Sequence, residues 1–136
     1  MAKILVVEDD KDLNNAYKII LAHDGHEVVT AFDGKEAFTK TKNFQPDLVL
    51  LDLLMPIMGG LEFLQKWPDS KKKKSKILIF TNMENSPEIS AAYKLGANRC
   101  VIKSWTAPHN LSKLVRDTLA NKKQPAAAAK KQKSPA

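Results

Sequence analysis

Short apolar runs alternate with amphipathic stretches along most of this chain. Lys3 to Glu8, with Ile4-Leu5-Val6-Val7 at its centre, reads as a buried strand. Asp12 to His23 places Leu13, Ala16, Tyr17, Ile20 and Leu21 on one helical face. His26 to Thr30 reads as a short strand, followed by Gly34 and a helix from Lys35 to about Lys42. Asp47 to Asp52 is the most apolar strand and is expected to be central. A short helix from about Gly60 to Lys66 ends before Pro68, and Lys76 to Thr81 forms another buried strand. Ser86-Pro87-Glu88 carries a cap followed by proline, the signature of a helix start, and Gly96 suits a left-handed C-terminal cap. Arg99 to Lys103 gives a fifth strand, and a last helix opens near Pro108 and fades near Asn121.

Five strand–helix units imply a parallel sheet with helices on both faces, because each parallel crossover needs a helix and is right-handed. The expected fold is α/β: a doubly wound, five-stranded parallel sheet in the order 2-1-3-4-5 with five helices, flavodoxin-like. In such sheets ligands bind at the carboxyl ends of the strands. Glu8-Asp9-Asp10, Asp52, Thr81 and Lys103 each follow an apolar strand and would meet at that edge. A cluster of carboxylates there needs a cation. Taken singly, these residues have plainer roles: Asp9 or Asp10 as a helix cap, Asp52 as a satisfied strand-end carboxylate, Thr81 as a turn residue, Lys103 as a solvated lysine. Their joint placement points to chemistry instead.

Length and composition narrow the classes. The 136 residues suit one domain. No apolar stretch is long enough to span a bilayer, and Met1-Ala2-Lys3 leads straight into a strand rather than a signal peptide. The single cysteine, Cys100, excludes an internal disulfide and fits a reducing compartment, so the cytoplasm is expected. The net charge of +7 is concentrated in two places. Five lysines lie in the last sixteen residues, and five more are Lys71 to Lys74 and Lys76; without them the body is mildly acidic. Lys71 to Lys76 is expected to be a solvated loop on the side away from the acidic cluster. From Pro125 onward only Ala, Lys, Pro, Gln and Ser occur, a composition too poor in apolar surface to order itself. The division expected is a domain over residues 1–121 and a basic tail over 122–136.

Val6-Val7-Glu8-Asp9-Asp10, Leu51-Asp52-Leu53-Leu54-Met55-Pro56 with Gly59-Gly60, Phe80-Thr81, and Lys103 shortly after Gly96-Ala97 together resemble the receiver domain of two-component response regulators, in size and layout the single-domain chemotaxis type. The resemblance covers roughly residues 3 to 120. It implies that Asp52 is the phosphoacceptor, taking a phosphoryl group from a histidine kinase or histidine phosphotransfer protein. It implies Mg²⁺ held by Asp9, Asp52 and the backbone carbonyl of Leu54, with Glu8 reaching it through water. Lys103 would contact a phosphoryl oxygen, and the Thr81 hydroxyl would move to the phosphate as the switch. Asp10 is expected to cap the first helix rather than bind metal. A stand-alone regulator acting through protein contact, as a monomer or weak dimer, is the implied mode.

Four positions set this chain apart within the resemblance. The strand residue three before the lysine is usually aromatic; here it is Cys100, expected to be a small buried residue rather than a redox sensor. The residue after the lysine is usually a cis proline; here it is Ser104, and a cis bond is expected so that Lys103 can reach the site. Leu54 and Met83, which flank the attacking water in the family, are apolar, so slow self-hydrolysis is expected. Two other readings stay open: a pseudo-receiver that binds partners without phosphorylation, and a nucleic-acid-associated protein using its basic segments. Specific DNA binding has no helix-turn-helix or interleaved aromatics to support it.

Overall fold

The computed structural model describes residues 1–83, 86–105 and 108–120. Five strands, β1 (Lys3–Val7), β2 (Glu27–Ala31), β3 (Leu48–Leu51), β4 (Lys76–Thr81) and β5 (Arg99–Ile102), form one sheet. All pairings are parallel and the order is β2-β1-β3-β4-β5, as the alternating pattern requires. The helices are α1 (Lys11–His23), α2 (Gly34–Lys40), α3 (Gly60–Lys66), α4 (Asp69–Lys72), α5 (Pro87–Lys94) and α6 (Leu111–Ala120).

The period of two in the strands divides the core. Leu5, Val7, Val49, Leu51, Ile77 and Ile79 face one layer, where Ala37, Phe63, Ala92 and Tyr93 of α2, α3 and α5 pack with Trp67, which follows α3. Ile4, Val6, Leu48, Leu50, Leu78 and Phe80 face the other, against Tyr17 and Leu21 of α1 and Leu111 and Val115 of α6. Residues alternate across a strand, so central strands apolar on both faces must carry helices on both. Phe63 and Trp67 stack at 5.2 Å between centroids, and Tyr17 tilts against Phe80 at 5.6 Å. No described helix is long and apolar enough to cross a membrane.

Two expectations need correction. The lysine stretch is not all loop: Asp69–Lys72 closes a single helical turn behind Pro68, with the Lys71 and Lys72 N–H groups donating to the Pro68 carbonyl at 3.0 and 2.9 Å. This raises the helix count from the expected five to six. The last helix begins later than expected, at Leu111, because Pro108–Asn110 form a separate 3₁₀ turn. Ser86 caps α5 with Pro87 in its first turn, and Gly96 takes φ +116°, as expected. The fade near Asn121 and the tail over 122–136 lie outside the described residues.

Candidate functional site

Register brings the acidic segments together. Val7 pairs with Leu51, and the Asp52 N–H donates to the Val7 carbonyl at 3.1 Å, so Glu8 and Asp52 leave adjacent strands side by side. Both are buried, at 3 % and 7 % exposure, whereas Asp9 is exposed. One carboxylate oxygen from each of Glu8, Asp9 and Asp52 lies within 4.8 Å of the others. Three carboxylates with no nitrogen or sulfur donor fit a hard divalent cation of the Mg²⁺ kind.

Asp10 stands apart from that group. Its Oδ1 accepts the N–H groups of Asp12 and Leu13 at 3.0 and 3.1 Å, capping α1 as expected. Glu8 Oε2 accepts the Asp10 N–H at 3.0 Å, which fixes the turn between strand and helix.

Lys103 closes the site from β5. Its Nζ donates to Asp52 Oδ2 at 2.8 Å and also to Glu8 Oε1. Burial opposes charge on Lys103, but the hydrogen bonds to Asp52 and Glu8 outweigh it and raise its pKa. Burial raises Glu8 despite the lowering effect of Lys103. The other Asp52 oxygen, Oδ1, accepts only a long bond from the Leu54 N–H at 3.3 Å among the described residues.

The expected cis bond before Ser104 is corrected: no described peptide bond is cis. Lys103 reaches the site on a trans bond because the chain turns at once into a 3₁₀ turn, Lys103–Trp105. The Ser104 N–H donates to Asn82 Oδ1 at 3.0 Å, tying the loop after β5 to the loop after β4. A proline there would lack that donor.

Thr81 ends β4, 1 % exposed. Its Oγ1 accepts the Met83 N–H at 3.4 Å, and no hydrogen bond joins it to Asp52 among the described residues. Leu54 is 71 % exposed beside the cluster, with Met83 half-buried. The loop from Asp52 to Gly60 is tightly folded: a Cβ on Gly60 would lie 2.4 Å from the Asp52 carbonyl oxygen, and Ile57 takes φ +68°. For a β-branched residue that left-handed conformation costs roughly 1–2 kcal/mol.

Cys100 is buried, and burial pushes its thiol up to about 12, partly offset by the Tyr93 hydroxyl. Its backbone N–H donates to Tyr93 Oη at 2.9 Å, so α5 supplies the aromatic beside β5 that the strand itself lacks. Two braces escaped sequence reasoning. Asn14 Nδ2 donates to the carbonyls of Glu8 and Ala31, both at 3.0 Å, and Asn82 anchors Ser104. Neither has a sequence signal, since its partners are distant in the chain.

The family model for the response regulator receiver domain matches residues 4–116. The chain is 28 % identical over 114 residues to the response regulator ArlR of Staphylococcus aureus, covering 84 % of this chain and 51 % of that protein. It thus spans about half the length of the curated relatives it matches. Among solved structures, the chemotaxis response regulator CheY4 of Vibrio cholerae is 34 % identical with a TM-score of 0.76, over 85 % of this chain and 97 % of that one. A CheY-like receiver domain protein from Methanospirillum hungatei is 27 % identical with a TM-score of 0.81, over 88 % and 94 %.

The geometry makes Lys103 the only described cation within bonding reach of the buried carboxylates. Removing one partner of a buried ion pair typically costs 3–5 kcal/mol. Lys103→Met should therefore lower the unfolding free energy in urea by about 3 kcal/mol. A loss below about 1 kcal/mol would show that solvent, not Lys103, compensates the cluster.

Proposed function

We propose that this chain, which belongs to the response regulator receiver family, accepts a phosphoryl group on Asp52 from a histidine kinase or histidine phosphotransfer protein and signals through protein contact. The observation that carries this reading is the asymmetric hold on Asp52: Oδ2 is fixed by Lys103 at 2.8 Å, whereas among the described residues Oδ1 has only the long Leu54 contact. A carboxylate oriented by one oxygen keeps the other available for attack. Oδ1 forms a bond to phosphorus as the N–P bond of the donor phosphohistidine breaks, and the imidazole leaves with the electron pair.

Mg²⁺ bound by Asp9, Asp52 and the Leu54 carbonyl, with Glu8 through water, would offset repulsion between the carboxylate and the phosphoryl oxygens. Lys103 turns its ammonium from Asp52 to a phosphoryl oxygen as a point charge. Thr81 releases the Met83 N–H and donates its hydroxyl to the phosphate, drawing the loop after β4 inward. With no ring on β5 at Cys100, that movement passes through α5, whose Tyr93 holds the β5 edge. The proposal includes a receiver over residues 1–121 with a basic tail over 122–136, working in the cytoplasm as a monomer or weak dimer.

Incubation with acetyl phosphate and Mg²⁺, followed by intact-mass and peptide analysis, tests the acceptor. One phosphoryl group should map to the peptide containing Asp52 and vanish in Asp52→Asn. Modification persisting in that variant, or none in the wild type, would refute the assignment.

Leu54 and Met83 cannot orient a water by hydrogen bonding, so the acyl phosphate should be long-lived. Leu54→Asn restores a polar group at the exposed position. An oriented hydrogen bond of about 1.4 kcal/mol in the transition state corresponds to roughly tenfold faster hydrolysis. Phosphate release with equal rates in the two proteins would show that Leu54 does not limit hydrolysis.

A further inference from the structure

We propose that the edge of the sheet opposite the acidic site is a sequence-independent docking surface for the phosphate backbone of nucleic acid. A cleft of about 880 Å³ opens there, at the amino ends of the strands. Ala2, Asp47 and Asn98, each just before a strand, line it together with Lys76 at the start of β4. Its cationic wall is Lys72, Lys73, Lys74, Lys76 and Lys94, against the carboxylates Asp47 and Asp69.

Those two carboxylates are already engaged. Asp69 pairs with Lys72 at 3.6 Å, and Asp47 Oδ2 accepts the Lys3 N–H at 2.8 Å. Lys73, Lys74 and Lys94 are exposed. Lys72 ends α4, Lys73 is its C-cap and Lys74 follows, so three consecutive lysines line the cleft with Lys76 and Lys94. Several lysines on one surface suit a polyanion with many phosphates better than a single anion. Leu119, near the end of α6, lines the same cleft, and the sixteen residues after Ala120 carry Lys122, Lys123, Lys130, Lys131 and Lys133. The lysines of residues 72–76 therefore stand at one edge of the sheet, while the buried carboxylates occupy the other. That polarity orients an approaching polyanion toward the lysines.

The chemistry also limits what is read. Among the described residues no arginine or aromatic ring lines the cleft, and base edges or stacked bases have no reader among them. The α4 turn is Asp-Ser-Lys-Lys and has no apolar face to insert into a lipid surface. The contact is electrostatic, and duplex DNA and RNA share the phosphate chemistry it uses.

The full chain is titrated into labelled duplexes of unrelated sequence, DNA and RNA separately, with fluorescence anisotropy read over a series of salt concentrations. The variant combining Lys73→Gln, Lys74→Gln and Lys94→Gln is compared with one combining Lys11→Gln, Lys18→Gln and Lys35→Gln, which removes equal charge elsewhere. Each phosphate contact contributes about 0.9 to the slope of log K against log salt on duplex DNA. The edge variant should lower the slope magnitude by about 2.7 and the control should leave it nearly unchanged. Binding to DNA, RNA or both with that difference supports the proposal, and the two duplexes identify the source of the phosphates. Equal losses in both variants, no loss in the edge variant, no binding to either duplex at low salt, or tighter binding to phosphatidylserine vesicles at matched salt would overturn it.

Discussion

Glu8 and Asp52 leave adjacent strands nearly buried, and their mutual repulsion is answered by one ammonium group. Lys103 bonds to both, from the end of a strand that is not next to either. Because β4 separates β3 from β5, Lys103 must extend across the edge of the sheet. Everything that aims it matters: the pairing of β4 with β5, the 3₁₀ turn that follows, and the Asn82–Ser104 bond. The same contact orients Asp52, whose other oxygen has a single long contact among the described residues. A carboxylate fully satisfied by backbone donors would be a poor acceptor, and one without Lys103 would be a poor neighbour for Glu8.

Much of this was legible in the chain because it is encoded locally. Four-residue apolar runs such as Leu48 to Leu51, too short for a helix and flanked by Pro46 and Asp52, fit strands covered on both faces, and Ser86-Pro87 and Gly96 bracket a helix by backbone chemistry alone. The strand-end positions of Asp52, Thr81 and Lys103 followed from those runs. What stayed hidden depends on contacts across the fold. Asn14 and Asn82 act on residues 17 and 22 positions away, and nothing near them in sequence announces it. The α4 turn was masked by its lysines, whose charge suggested solvated loop while Pro68 set up a helical start. The expected cis bond before Ser104 rested on the reach that Lys103 needs. Serine brings an N–H, and the chain uses it.

Tyr93 shows how one position can be filled from another element. Cys100 is small, and the phenol of Tyr93 from α5 packs into the same core layer and accepts the Cys100 N–H. This joins helix to strand on the sheet's outer edge. In the proposed mechanism, movement after Thr81 therefore reaches β5 through a helix rather than through a swinging ring. The other pole of the molecule is built differently: Lys73, Lys74 and Lys94 are exposed there and line a cleft. The separation leaves that edge free while the acidic site is engaged.

The central claim is that Glu8, Asp9 and Asp52 form a cation site that becomes a phosphoryl site when Asp52 is loaded. Amide chemical shifts recorded during a Mg²⁺ titration, then with beryllofluoride added, test it most directly. The account predicts saturable Mg²⁺ shifts at Asp9, Asp52 and Leu54. It then predicts a second set on adding beryllofluoride, spreading through Thr81 and Met83 to Tyr93 and Cys100 and absent in Asp52→Asn. No saturable Mg²⁺ response, or a beryllofluoride response that survives Asp52→Asn, would contradict it and leave a receiver fold that binds partners without being phosphorylated.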